Sequence, residues 1–195
     1  MDKKQAEKRI KELRKQVEYH AKRYYDDDNP EITDFEYAFS FDGEYDPAKG
    51  LLFNKDNVIL DPYAKAVTGQ RNWGDKPEGS DNFVYKARVV KSNFNWGDVK
   101  QLEKPMEDLV IYETHVRGFT KDPSSNVAAP GTFAGLREKI PYLKDLGINA
   151  IELMPIFEFD EMESARVVDG VQLYNYWGYN TVSFFAPNTS YASQE

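Results

Sequence analysis

Ala6, Ile10, Leu13, Val17, Ala21 and Tyr24 recur every three or four residues in a segment otherwise rich in Lys, Arg and Glu. That spacing places one apolar stripe on a helix and predicts one from about Lys3 to Tyr25. Asp26-Asp27-Asp28-Asn29-Pro30 ends it, because Asp and Asn favour turns and the residue before Pro avoids the helical region. The period then changes. Thr33 followed by Glu36 is a capping box that would start a second helix, whereas Phe35, Tyr37, Phe39 and Phe41 alternate as on a pleated strand. Both patterns claim the same residues. Four alternating aromatics outweigh one cap, which predicts strand from Tyr37 onward.

Further along, Gly43, Asp46-Pro47, Gly50 and Asp61-Pro62 punctuate a turn-rich stretch around Val58-Ile59-Leu60. Residues 68 to 82 read as a long polar loop and Val84 to Val90 as a short strand. Leu109 to Val116 is strand-like, and the stretch from 120 to 132, with Pro123, Pro130 and Gly131, is a loop. A helical stripe of Leu136, Ile140, Leu143 and Leu146 ends at Gly147, with Pro141 dividing it into two short helices. Ala150 to Met154 then reads as a buried strand. This order is a βαβ unit, which puts its two strands parallel and functional groups where strands give way to loops.

Composition narrows the function classes. There are no Cys and only two His, His20 and His115, so disulfides and thiolate or histidine-rich metal sites are not expected. No apolar run approaches the roughly 18 residues of a membrane span, and no signal-peptide pattern opens the chain, so a cytoplasmic protein without a membrane partner is expected. The net charge of −8 is uneven: residues 1 to 25 hold nine basic and four acidic side chains, +5, leaving 16 basic against 29 acidic, −13, in the rest. The acidic remainder argues against nucleic acid as a partner.

Candidate chemistry sits near the second parallel strand. Glu152, Glu158, Asp160, Glu161 and Glu163 cluster there, but paired catalytic carboxylates come from separate strands, so the cluster reads as a solvated acidic loop. His115, alternating with Glu113 and Arg117, reads as a hydrogen-bonded structural histidine ahead of a catalytic one. Tyr174, Tyr176, Trp177 and Tyr179 are interspersed with Asn175, Gly178 and Asn180. Aromatic faces beside amides suit the apolar C–H face and hydroxyl rim of a sugar, and packing is the competing reading.

Six motifs in chain order carry a resemblance from Phe39 to the end. They are Phe41-Asp42-Gly43-Glu44-Tyr45-Asp46-Pro47, Leu60-Asp61-Pro62-Tyr63-Ala64-Lys65, and Val110-Ile111-Tyr112-Glu113-Thr114-His115-Val116-Arg117-Gly118-Phe119-Thr120. Pro130-Gly131-Thr132-Phe133-Ala134-Gly135-Leu136, Gly147-Ile148-Asn149-Ala150-Ile151-Glu152-Leu153-Met154-Pro155 and Asn175-Tyr176-Trp177-Gly178-Tyr179-Asn180 complete the set. This text resembles isoamylase and pullulanase-type glycogen debranching enzymes of glycoside hydrolase family 13. The resemblance implies a mixed α and β fold: an N-terminal helix, a partial β-sandwich end, then the first two βα units of a TIM (β/α)8 barrel. It implies that residues 38 to 107 end a starch-binding-like β module and its connection, and that residues 108 to 195 start the barrel. It further implies that Tyr179 stacks on a sugar of an α-glucan oligosaccharide, with Trp177 and Asn180 beside it. The family's catalytic Asp, Glu and Asp lie on later strands, so no catalytic residue is expected here. The expectation is therefore a fragment related to α-1,6-glucan debranching hydrolases, inactive alone and open to self-association through exposed barrel edges.

Residues 1 to 37 resemble a second family, the N-terminal domain of NAD-dependent bacterial DNA ligases. The matching text is Leu13-Arg14, His20, Tyr24-Tyr25 and Asp28-Asn29-Pro30-Glu31-Ile32-Thr33-Asp34-Phe35-Glu36-Tyr37. That likeness implies nicotinamide mononucleotide, one half of NAD, as a ligand of Tyr24, Tyr25, Asp34 and Tyr37. Ala38 stands where the family pattern has Asp. The alternatives to a glucan-binding fragment are thus a nicotinamide-binding helical segment and a non-functional chimera of two unrelated pieces.

Overall fold

The computed structural model describes residues 36–68, 72–75, 85–90, 94–100 and 102–193, together with four helical positions, Lys8, Glu12, Lys15 and Tyr19. These four recur at helical spacing and are exposed, two positions out of phase with the apolar stripe of the expected first helix. The stripe itself, the Asp-rich end after it, and Tyr24, Tyr25 and Asp34 lie outside the described residues.

From Glu36 the backbone is extended, one residue earlier than the aromatic alternation predicts. Strand β1 (Glu36–Tyr37) pairs antiparallel with β6 (Ala87–Arg88), and β2 (Phe39–Ser40) pairs antiparallel with β5 (Val58–Ile59). Tyr37, Phe39 and Phe41 lie in sequence on one face, with ring centroids 5.8 and 6.4 Å apart. Glu36 pairs opposite Arg88, so the capping-box helix does not extend through it. Between β2 and β5, β3 (Tyr45–Asp46) and β4 (Leu51–Leu52) form a hairpin around a short 3-10 turn. Asp46 caps that turn by accepting from the Ala48 amide, and Gly50, with φ 76°, ends it.

The second half is built on parallel strands β7 (Ile111–Thr114) and β8 (Ala150–Leu153), in register from Ile111 opposite Ala150 to Thr114 opposite Leu153. Three helices connect them: α1 (Val116–Thr120), α2 (Phe133–Glu138) and α3 (Ile140–Asp145). Thr132 starts α2 by accepting from the Gly135 amide. The break at Lys139 agrees with the expected division, since Pro141 in the first turn of α3 has no amide to continue α2's ladder. Leu136 and Leu143, on either side of the break, are 7% and 2% exposed, whereas Leu146, the residue that caps the end of α3, is 54% exposed. The expected buried strand is a second correction. β8 is half-exposed, and Ile151 and its neighbour Ile111 are exposed, since the two-stranded ladder leaves apolar side chains of both strands uncovered.

After β8, β9 (Phe157–Phe159) pairs antiparallel with the long β12 (Thr181–Pro187) through a ladder with register shifts. Between them, β10 (Arg166–Val168) and β11 (Val171–Leu173) form a hairpin. Its turn, Asp169-Gly170, has positive φ at both residues, 50° and 79°, the twist that suits a two-residue hairpin loop. Two cores result. Ala64, Val67 and Ala87 meet Ala186 of β12, with Tyr37, Leu60 and Tyr85 around them; Val116, Leu136, Phe159 and Tyr191 meet with Trp73, Phe119 and Phe133. The first ties the β-rich half to β12, and the second supports the loop after β11. No described helix is long and apolar enough to cross a membrane.

Candidate carbohydrate-binding cleft

The loop from Tyr174 to Asn180 begins where β11 ends and closes into β12, so both of its ends are held by strands. Its interior is held by amides. Asn175 accepts from the Gly178 amide at 3.3 Å and donates to the Asp160 carbonyl at 3.3 Å. It also donates to Asn180 Oδ1, and Asn180 Nδ2 donates to Glu163. Gly178 is required here: its φ is 75°, and a Cβ would lie 2.5 Å from the Phe159 ring.

Fixed in this way, the loop forms one wall of a cleft of about 900 Å³. Trp177, Tyr179 and Asn180, the three residues expected to contact sugar, all line it. Tyr179 is 75% exposed and Trp177 53% exposed, so each presents an aromatic surface to solvent without a rearrangement of the core. Asn180 is different, because its amide oxygen and nitrogen already serve the hydrogen-bonded chain to Asn175 and Glu163. Each of those atoms retains capacity for one more partner.

Other lining residues were not singled out by the sequence. Arg166, Gln172 and Leu173 come from the β10–β11 hairpin, and Trp73 comes from the stretch expected to be a polar loop. The hairpin had a legible signal, Asp-Gly between Val168 and Val171. Trp73 had none, being a lone aromatic among polar residues. It is engaged on all sides: its ring stacks on Tyr191 at 5.9 Å and 9°, meets His115, Phe159 and Tyr176 edge to face, and has the Arg117 guanidinium carbon 4.6 Å from its centroid. Trp73 is thus a support of the cleft, whereas Tyr179 is a free platform.

His115 is buried and hydrogen-bonded, as the structural reading expects. Its Nδ1 accepts from the Gly118 amide at 3.1 Å, which leaves Nε2 to carry the proton and donate to the Tyr176 carbonyl at 2.8 Å. Burial holds its pKa below the ordinary histidine value; the Tyr176 carbonyl opposes that shift and the Arg117 charge adds to it.

The acidic cluster is solvated only in part: Glu152 and Glu163 are exposed, but its middle is not. Glu158 and Glu161 are both completely buried, because β9 turns Glu158 inward against the chain after β12. Thr189 donates its amide to Glu158 Oε2 at 2.9 Å, while Asn188 Nδ2 and the Ser190 hydroxyl donate to Glu161 Oε1 at 3.2 and 2.7 Å. Burial, with the neighbouring Glu161 and Asp160 charges adding, pushes the Glu158 carboxyl up to about 8, against the Thr189 hydrogen bonds. Glu161 is also raised, chiefly by burial. Among the described residues Glu163 is the one carboxylate lining the cleft, and no cluster of three or more potential metal ligands occurs.

Of the four residues tied to nicotinamide, Tyr37 alone is described. It lies in β1 against the first core, and its hydroxyl donates to the buried Asp61 carboxylate at 2.6 Å.

Comparison with known proteins adds two independent matches. Residues 79–194 match the family "Alpha amylase, catalytic domain", and residues 3–41 match "DNA ligase-like, N-terminal NAD+-binding domain". The chain is 42% identical to the chloroplastic isoamylase 1 of Arabidopsis thaliana, covering 84% of this chain and 22% of that one. It is 36% identical to a glycogen debranching enzyme of Serratia proteamaculans, covering 80% of this chain and 25% of the other. Among solved structures, the type I pullulanase of Bacillus subtilis complexed with maltose aligns with a TM-score of 0.52 and 29% identity, over 72% of this chain and 19% of that chain. The chain therefore spans between a fifth and a quarter of the curated relatives it matches.

Proposed function

Because the chain belongs to the α-amylase catalytic-domain family over residues 79–194, we propose that its cleft binds glucose units of an α-glucan oligosaccharide. Tyr179 stacks on the apolar face of one ring, Trp177 flanks it, and Asn180 offers its remaining amide capacity to a hydroxyl. The observation that carries this reading is the pair of exposed aromatics, Trp177 and Tyr179, on a cleft wall whose backbone is already tied down. In this reading β7, the three helices and β8 are the first βα units of a (β/α)8 barrel, residues 108 to 195. Residues 38 to 107 are then the end of a starch-binding-like module.

Cleavage of an α-1,6 branch with retention needs two carboxylates about 5 Å apart across the scissile bond. The described cleft has one, Glu163, and its carboxylate accepts from Asn180. This chain alone is accordingly expected to bind without turnover. Titration calorimetry with maltotetraose, beside the β-linked cellotetraose, tests the reading. Saturable heat with the first and none with the second is expected. Equal responses to both, or none to either, would remove the glucan assignment, and reducing-sugar release from pullulan would remove the claim of no turnover.

The match over residues 3–41 favours a second reading for that segment, in which Tyr24, Tyr25 and Asp34 bind nicotinamide mononucleotide while Tyr37 stays in β1, its hydroxyl on Asp61. A titration with that nucleotide, followed by tyrosine emission, separates it from a purely helical appendage.

A further inference from the structure

Three parts of the chain converge on the His115 ring. At the start of α1 its Nδ1 accepts from the Gly118 amide; on the cleft loop its Nε2–H donates to the Tyr176 carbonyl at 2.8 Å; and the Tyr191 hydroxyl oxygen lies 3.3 Å from the same nitrogen. Ring contacts add to these polar ones. Tyr176 stacks on the imidazole with centroids 4.1 Å apart and planes at 8°, and Trp177 meets it edge to face at 6.2 Å. A glycine at position 118 is part of the arrangement, since a Cβ there would lie 2.1 Å from the Tyr176 hydroxyl. Tyr176 is therefore laid flat between the first turn of α1 and the cleft, with its carbonyl and its ring both gripped by one side chain.

The neighbours of Tyr176 are the proposed sugar platforms. Trp177 follows it directly, and Tyr179 lies two residues further on, after the glycine hinge at 178. Neither has a described hydrogen bond from its ring; the backbone at Tyr176, together with the Asn175–Asn180 amide chain, sets where both project. We propose that His115 is the positioning residue of the glucan-binding loop: the neutral, Nε2-protonated imidazole clamps Tyr176 so that Trp177 and Tyr179 face the cleft. The inference rests on the glucan reading for its consequence, but the clamp itself is independent of any ligand.

The two ring nitrogens do separable jobs, which makes the role testable. In His115→Asn the amide oxygen replaces Nδ1 and keeps the cap on Gly118, but the side chain is too short to reach the Tyr176 carbonyl. In His115→Gln the terminal amide N–H reaches that carbonyl, and the cap is lost. Both variants lose the buried ring's packing and melt below the parent; the expected result is at least a tenfold weaker maltotetraose affinity for His115→Asn, with His115→Gln recovering most of the affinity although it melts no higher. A residue that is only structural would lose affinity in step with melting temperature in both variants, and that outcome overturns the proposal. Amide hydrogen exchange supplies the ligand-free arm: exchange at Trp177 and Gly178 accelerates in His115→Asn and not in His115→Gln. A long-range nitrogen–proton correlation spectrum of the unmodified chain should show Nδ1 bare and Nε2 protonated. If that chain fails to bind maltotetraose, the glucan reading falls while the exchange pattern still decides the clamp; equal exchange in both variants, or a proton on Nδ1, refutes it.

Discussion

Glu158 is a buried carboxyl whose protonation is coupled to folding. Its carboxyl is raised from an ordinary value of 4.5 to about 8, so between those pH values the unfolded chain loses its proton while the folded chain keeps it. Stability from this group is fully present below about 4.5 and is lost as pH rises through about 8. The melting temperature should fall across that interval. Glu158→Gln keeps an acceptor for the Thr189 amide and has no charge to bury, so it should flatten the pH profile and gain about 1–3 kcal/mol at pH 8. A variant profile as steep as the parent's would move the effect to another group. The sequence hid this because Glu158, Asp160, Glu161 and Glu163 look alike in a run; burial depends on β9 packing against Asn188, Thr189 and Ser190, some 30 residues away. Trp177 and Tyr179, in contrast, stand out through the family resemblance of Asn175 to Asn180, since aromatics beside amides alone fit packing as well as sugar.

The β10–β11 hairpin is the element that brings chemistry to the cleft from outside the aromatic loop, through Arg166 and Gln172. Its stability depends on a two-residue turn in which both backbones are left-handed. Gly170→Ala places a Cβ at φ 79°, a cost of roughly 1–2 kcal/mol. Nothing lies within 4 Å of that Cβ, so the loss is conformational and not steric. Proteolysis of the hairpin should accelerate several-fold while global melting changes little; unchanged proteolysis would show that the turn does not limit hairpin order. At this scale the chain reads well where signals are local. The α2–α3 break at Pro141 and the extended backbone at Tyr37, Phe39 and Ser40 follow from the text alone. The antiparallel partners, such as Phe39 opposite Ile59, and the exposure of Ile140 and Leu146 do not, because they depend on what each segment meets in space.

Across the whole molecule, among the described residues, two small cores are linked through β12 and its partner β9, while many large apolar side chains remain at the surface. Val110, Ile111 and Ile151 are exposed on or beside the parallel ladder, and Leu52, Val58 and Ile59 on the β-rich half. Such patches favour association, and sedimentation velocity should show mass rising with protein concentration; a single monomer species at all concentrations would contradict this. Glucan binding does not depend on those faces, because the cleft lies between the aromatic loop and the hairpin. The most direct test is therefore maltotetraose titration of Tyr179→Ala beside the unmodified chain, at a protein concentration where both are monomeric. The exposed ring can be removed without opening the core, so the melting temperature should hold while affinity falls at least tenfold, about 1.4 kcal/mol. Equal affinity in the two proteins would contradict the assignment of the cleft as an α-glucan site.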